Sequence, residues 1–276
     1  MALAMPAVLA ASALVATAVF AKHPRWCAVP LTVVVVSAFA IFLPRWPVRT
    51  DAPVDALRIA AVNLQFDSTD PAGGAADALA IDADILVVSE LMPAVDLLIA
   101  PAYPYRLTSD EIGYTTTTGV YSRIPIERLP QPVVPGEMLR VAVGGSTPFT
   151  LYAVHLPAPA LIDVSNGAQV SFADHPAVSR ALITAVEAEP GPVVIAGDLN
   201  LSDRVDAYGD LVDGRLDAMR TGWAASTYSL SLAWRLLLLR IDHLVVPADW
   251  CVADAHSFHL AGSDHDGITA QMGVCD

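Results

Sequence analysis

Lysine is almost missing from this chain. Of 15 Lys and Arg in 276 residues only Lys22 is a lysine, against 29 Asp and Glu and a formal net charge of −14. The first 50 residues contain no acid and four of the bases, Lys22, Arg25, Arg45 and Arg49. Residues 51–276 therefore carry 11 bases, 29 acids and a formal charge of −18. That balance argues against a generic DNA- or RNA-binding surface, because phosphate backbones are held by clustered Lys and Arg. Cysteine is scarce as well, three in all, and the histidines show no zinc-finger spacing. Charged residues make up only 16% of the chain, and 54% are hydrophobic. With a mean hydropathy of +0.51, the composition excludes a disordered chain and is high for a purely soluble one. No internal repeat is present.

The excess apolar content sits at the front. Met1 to Ala21 is uncharged, Lys22-His23-Pro24-Arg25-Trp26 interrupts it, and Cys27 to Leu43 is a second uncharged run. A membrane-spanning helix needs about 20 apolar residues, with a range of roughly 17–25. We expect two transmembrane helices, about 3–21 and 27–43, with Trp26 and Trp46 at the interfaces. The alternatives are a cleaved signal peptide for the first run, ending at Val19-Phe20-Ala21, and a buried strand or helix for the second. Lys22 and Arg25 in the short loop favour a cytoplasmic loop and an extracytoplasmic domain, whereas Arg45 and Arg49 pull the other way. A Pro- and Asp-containing linker, 44–56, then leads into a domain over 57–276. Cys251 and Cys275 lie in that domain and are either a disulfide or two thiols; spacing does not decide between them.

Within the domain, short β-rich runs alternate with turns. Leu57–Asn63, Ile85–Glu90, Gly119–Ser122, Met138–Val143, Phe149–His155, Pro192–Asp198, Ile241–Val246 and Ile268–Met272 read as strands. Several are continuous apolar runs, as in strands covered on both faces. Asp174 to Ala188 reads as a helix capped by Asp174, and shorter helices are expected at 74–81 and 205–212. This is an α+β pattern of one domain's length.

Polar residues collect at the tips of these runs: Asn63, Glu90, His155, Asp198 with Asn200, Asp242, and Asp264 with His265 in Gly-Ser-Asp-His-Asp-Gly. A single such tip is usually a turn or a helix cap. Six of them bearing Asn, Glu, His, Asp-x-Asn, Asp and Asp-His suit phosphoester hydrolysis. Glu90 and the Asn63 amide oxygen are hard ligands that match Mg²⁺ or Mn²⁺. Asp198 can orient or deprotonate a water. Asn200, on the same face of an extended segment, can donate to a phosphoryl oxygen. His265, held by Asp242, would be a charge-stabilised donor.

These residues resemble the endonuclease/exonuclease/phosphatase superfamily. The matching segments are Arg-Ile-Ala-Ala-Val-Asn, Leu-Val-Val-Ser-Glu, Gly-Val-Tyr-Ser-Arg-Ile-Pro-Ile, Val-His-Leu, Gly-Asp-Leu-Asn, Arg-Ile-Asp-His and Gly-Ser-Asp-His-Asp-Gly-Ile, in family order over 58–268. The resemblance implies a four-layer α/β/β/α sandwich with its active site at one end of two sheets. It implies Mg²⁺ on Glu90 with Asn63 assisting, and Asp198 and Asn200 at the nucleophile and phosphate. It also implies a His265–Asp242 pair with Asp264 beside it, and a phosphate contact from His155. The chain departs from the apurinic endonucleases at Thr117, where they carry a Tyr. With the apolar front it is similar to the membrane-anchored bacterial subset that includes teicoplanin-resistance-associated membrane proteins. For that subset, action on envelope lipid phosphates is implied by analogy.

The remaining residues have plainer readings. His256 and His259 are expected to be solvated loop residues, His175 a surface residue, and His243 to face away from Asp242. Trp234 to Arg240 is either core strand or an apolar rim with Arg235 or Arg240 reaching a phosphate. The expected function is a membrane-anchored, metal-dependent phosphoesterase on a lipid-linked phosphate, a pyrophosphate or another small phosphoester. The rivals are an anchored or secreted nuclease and a noncatalytic tethered binding module.

Overall fold

The computed structural model describes residues 48, 50–113, 117–131, 138–158, 160–162, 169–171, 175–222, 227–229 and 237–276. Both apolar runs, Asp174 and Arg235 lie outside the described residues. Among the described residues, no helix is long and apolar enough to cross a membrane.

Two six-stranded sheets form the body. The first is ordered β15-β16-β1-β2-β4-β3, from Trp250–His259, Asp266–Val274, Leu57–Asn63, Ile85–Ser89, Gly119–Ser122 and Tyr105–Thr108. The second is ordered β11-β14-β10-β7-β6-β5, from Arg215–Asp217, Asp242–Pro247, Val193–Asp198, Phe149–His155, Met138–Val143 and Ile126–Arg128. Two small ribbons pair β8 (Ala160–Ile162) with β9 (Gln169–Ser171) and β12 (Tyr228–Ser229) with β13 (Leu237–Leu239).

Each main sheet has one parallel pair, β1 with β2 and β7 with β10, and parallel neighbours need a crossover. Helix α1 (Pro71–Ala80) makes the first and α3 (His175–Glu187) lies in the second. The start of α1 is set locally. The Asp70 carboxylate accepts from the Gly73 N–H, and Pro71 occupies the first turn, where a missing N–H costs nothing. Helices α2 (Pro93–Ile99) and α4 (Asp206–Val212) complete the set.

The core divides into three apolar clusters. One lies between the sheets, with Ile59, Val87, Leu151, Val194, Leu244 and Ile268. A second joins the outer face of the first sheet to α1 and α2 through Val62, Leu86, Ala78 and Val95. The third joins the outer face of the second sheet to α3 and α4 through Tyr152, Ile195, Leu182 and Leu211. The layers are thus helix, sheet, sheet, helix, and the central strands are buried on both faces, which is why they read as unbroken apolar runs.

Edge elements lacked that signal. Strands β3, β5 and β11 are short and half-exposed, and α2 has only two fully buried side chains. His256 and His259 are on β15 rather than in a loop, though exposed. Cys251 and Cys275 form a disulfide, closing 24 residues of chain across β15 and β16. Residues ahead of β1 are tied to the body. Thr50 Oγ1 donates to the Val252 carbonyl at 2.6 Å, and the Val54 N–H to the Val274 carbonyl at 2.8 Å.

Candidate active site

The parallel pairs put the C-terminal ends of four strands at the same end of their sheets: Asn63 beside Ser89 in the first, and His155 beside Asp198 in the second. Strand β14 runs antiparallel to β10, so Asp242 reaches that end as the first residue of its strand, directly opposite Asp198. Likewise β16 runs antiparallel to β1, and His265 sits just before its start. Six tips separated in sequence by up to 202 positions therefore meet because strand direction alternates around two parallel pairs.

Two backbone devices set the carboxylates. Gly197 has φ +134°, and a Cβ there would fall 2.0 Å from the Val154 carbonyl oxygen, so only glycine lets β10 approach β7 just before Asp198. Glu90 and Asn200 have φ of +55° and +47°, left-handed values rare for side-chain-bearing residues. Asn200 is thus placed by a turn rather than by an extended segment. Its N–H donates to Asp198 Oδ1 at 2.8 Å and its amide nitrogen to the Leu156 carbonyl at 2.9 Å.

Asn63 joins the two sheets. Its amide nitrogen donates to Glu90 Oε1 at 3.1 Å and to Asp198 Oδ2 at 3.0 Å, while its oxygen accepts from the Gln65 N–H at 3.0 Å. The Gln65 donor fixes which end of the amide is which. In this arrangement Asn63 turns its nitrogen, not its oxygen, toward Glu90. The other Glu90 oxygen accepts from the Phe66 N–H at 2.8 Å. His155 Nε2 lies 3.8 Å from Glu90 Oε1 and 4.0 Å from Asp198 Oδ2.

His265 Nδ1 and Asp242 Oδ2 are 2.9 Å apart, leaving Nε2 facing Asp198 Oδ2 at 3.8 Å and Asp264 Oδ1 at 3.9 Å. Burial opposes charge on this imidazole, but Asp242 and Asp198 outweigh it and the pKa is pushed up to about 10. Burial, reinforced by Asp242, raises the pKa of Asp198 against the pull of His265 and His155. Asp264 is raised chiefly by burial. Its loop is pinned by residues the strand-tip pattern did not single out. Ser263 Oγ donates to the Asn63 carbonyl at 2.8 Å and accepts from the His265 N–H at 3.0 Å, and Gln65 Oε1 accepts from the Asp264 N–H at 3.0 Å. Ser263 could have been found, since it stands in the Gly-Ser-Asp-His segment; Gln65 has no such mark.

The donor set fits a divalent cation. Glu90, Asp198, Asp242 and Asp264 converge, and no Lys or Arg among the described residues ion-pairs with any of them. Ligand atoms of Asp198, Asp242 and His265 lie within 4.8 Å of one another, close enough to hold one ion. Asp242 Oδ1 is buried without a hydrogen-bond partner among the described residues. Glu90 supplies a second, separate carboxylate for a cation, half-exposed at the mouth.

Three expectations are corrected. Arg240 does not reach toward a phosphate; it is 1% exposed, held by Asp217 at 2.5 Å and by the Tyr208 hydroxyl at 2.9 Å. His175 is buried, not on the surface, with Nε2 3.3 Å from the Leu199 carbonyl oxygen. The strand expected over Ile241–Val246 runs Asp242–Pro247, so that Asp242 is its first residue. His243 faces away from Asp242 as expected, into the same buried cluster as Arg240 and Asp217.

The endonuclease/exonuclease/phosphatase family model matches residues 26–265. The chain belongs to that family. Members are mostly metal-dependent hydrolases of phosphoester bonds, acting on phosphoester or nucleic-acid substrates. Solved structures share the fold at low identity. D. rerio TDP2 complexed with single-strand DNA product is 17% identical, covering 80% of this chain and 100% of that one, with a TM-score of 0.60. The endonuclease/exonuclease/phosphatase from Beutenbergia cavernae is 19% identical over 80% of this chain and 72% of that one, TM-score 0.56. The endonuclease domain of TRAS1, a telomere-specific non-LTR retrotransposon, is 14% identical over 80% and 100%, TM-score 0.56. No curated protein matches the chain in sequence.

Proposed function

We propose that this protein is a membrane-anchored phosphoesterase, dependent on Mg²⁺ or Mn²⁺, that hydrolyses a lipid-linked phosphate or pyrophosphate at the outer face of the membrane. The observation that carries the reading is the acidic site, whose carboxylates pair with no arginine among the described residues. Six of the described arginines, at 58, 106, 123, 140, 204 and 240, ion-pair with carboxylates elsewhere. Such a surface suits a single phosphate presented at the end of a lipid better than a polyanion that needs several basic contacts. Phe66, 66% exposed beside Glu90, offers an apolar rim for a lipid. The Cys251–Cys275 disulfide supports an oxidising, extracytoplasmic location for the domain. Lys22 and Arg25 support the same orientation.

The chain's own residues can divide the chemistry as follows. Asp198, a stronger base for its raised pKa, aligns a water and accepts its proton as the water oxygen attacks phosphorus and the bond to the leaving oxygen breaks. His265, kept as imidazolium by Asp242, and His155 face the phosphoryl oxygens and stabilise their charge. Glu90 would hold the cation, which leaves His265 as the protonated donor; an ion held by Asp198, Asp242 and His265 would instead require a neutral ring. When bound, a divalent metal supplies Lewis-acid polarisation of the phosphoryl group.

The alternative, a nuclease, is favoured by one observation: TDP2, with the same fold, was crystallised with a single-strand DNA product. A side-by-side rate measurement separates the two, with full-length protein in detergent, Mg²⁺, and a polyprenyl pyrophosphate or plasmid DNA at equal phosphate concentration. Faster lipid hydrolysis is expected. Faster plasmid cleavage, abolished by His265→Ala, would establish the nuclease instead.

A further inference from the structure

The site is short of hydrogen-bond donors for an anion. Asn63 spends both N–H groups of its amide on carboxylates, Asn200 commits one of its two to the Leu156 carbonyl, and no Lys or Arg among the described residues pairs with the site's carboxylates. The second Asn200 N–H, His155 and His265 remain, facing four acids. A phosphoryl group carrying two or three charged oxygens needs more than these.

Tyr228 is placed to supply one. It forms an isolated antiparallel bridge with His265, flanked by the Ser229 N–H donating to the Asp264 carbonyl at 2.9 Å and the Asp266 N–H to the Thr227 carbonyl at 2.8 Å. In that pattern Tyr228 and His265 are a non-hydrogen-bonded pair, the class with the closest side chains, and both project to the same face. Their rings are 5.0 Å apart, tilted by 57°. Tyr228 is half-buried, and its hydroxyl makes no hydrogen bond to another described residue.

We infer that Tyr228 is a substrate-contacting residue whose hydroxyl donates a hydrogen bond to a phosphoryl oxygen bound between His265 and Asp198. The inference rests on the phosphoesterase reading and extends it to a residue outside the strand-tip pattern. The carboxylates of Asp264, Asp198 and Glu90 lie near the phenol, which as a neutral group keeps its proton for donation at neutral pH. The same acidic surroundings explain why a neutral donor serves here. A phenol adds no charge for these carboxylates to pair with in the resting site, and the O–H stays free for the ligand.

The test is Tyr228→Phe in full-length protein, which keeps the ring against His265 and removes only the hydroxyl. Two readouts are needed. With Mg²⁺ and bis(p-nitrophenyl) phosphate, kcat/KM should fall about tenfold or more, the scale of one hydrogen bond to a charged group. Calorimetric binding of inorganic phosphate should weaken similarly, with the melting temperature unchanged. A variant within about twofold of wild type in both readouts would overturn the inference, since ring packing alone survives the change. If the wild type hydrolyses neither the diester nor a lipid pyrophosphate, the functional reading fails. Phosphate binding then decides Tyr228 alone: weaker binding by the Phe variant supports the contact, and equal or undetectable binding by both proteins overturns it.

Discussion

Asp242→Asn is the sharpest perturbation of the site. The change keeps side-chain shape and removes one charge 2.9 Å from His265 Nδ1. At that separation and an effective dielectric of about 20, the pair attracts by about 6 kcal/mol. The rise of the imidazole pKa from 6.5 to about 10 corresponds to about 5 kcal/mol at most, a consistent figure once burial has taken its share. Asp198, 3.8 Å from Nε2, remains in the variant and holds part of the shift. In wild-type protein with chelator present, the ring protons of His265 should not titrate between about pH 5 and 8.5 by NMR. In Asp242→Asn they should titrate within that range. The sign for stability follows from a raised folded pKa. The dyad stabilises the fold fully below about 6.5, and that stability is lost as pH rises toward about 10. Wild-type unfolding free energy should therefore decline across that window and the variant's should decline less. Turnover should drop in Asp242→Asn and in His265→Ala, with the double variant little worse than the worse single. A wild-type His265 titrating near 6.5, or strictly additive activity losses, would refute the dyad.

Other consequences are as direct. Chelation should abolish hydrolysis and Mg²⁺ or Mn²⁺ restore it, and Glu90→Ala should weaken metal affinity measured by calorimetry; unchanged affinity would leave Asp198, Asp242 and His265 as the binding group. Gly197→Ala sets a methyl carbon 2.0 Å from the Val154 carbonyl oxygen at φ +134°, so a loss of about 3 kcal/mol or more is expected in denaturant unfolding, with activity falling because Asp198 shifts. Replacing Cys251 and Cys275 by Ser opens a closure of 24 residues and should cost about 3 kcal/mol while leaving kcat nearly intact, the site being at the other end of β16 from Cys275. Reporter fusions after Asp55 that are active only in the cytoplasm would sink the proposed orientation.

The central strands were legible in the sequence because both faces of each are covered. Leu57–Asn63, Gly119–Ser122, Met138–Val143 and Phe149–His155 have the same bounds in the structure as in the reading of their apolar runs. Their polar tips were legible for a related reason. A buried strand that ends in Asn, His or Asp must bring that group to a place where water or a ligand meets it. Local pattern could not supply direction or partnership. Asp242 opens a strand while Asp198 closes one, and the two are neighbours only because β14 and β10 run antiparallel. Arg240 and His175 are polar by type yet buried, because Asp217 and the Leu199 carbonyl wait for them across 23 and 24 residues of chain. The disulfide, the Asn63 bridge between the sheets and the tilted contact of the Tyr228 and His265 rings are likewise long-range facts. Hydrophobic periodicity reports the environment of each segment, and so determines which segments form the core and which residues stand at its ends. Which of those ends meet is settled by sheet pairing over separations of up to 202 positions, and only the folded chain contains it.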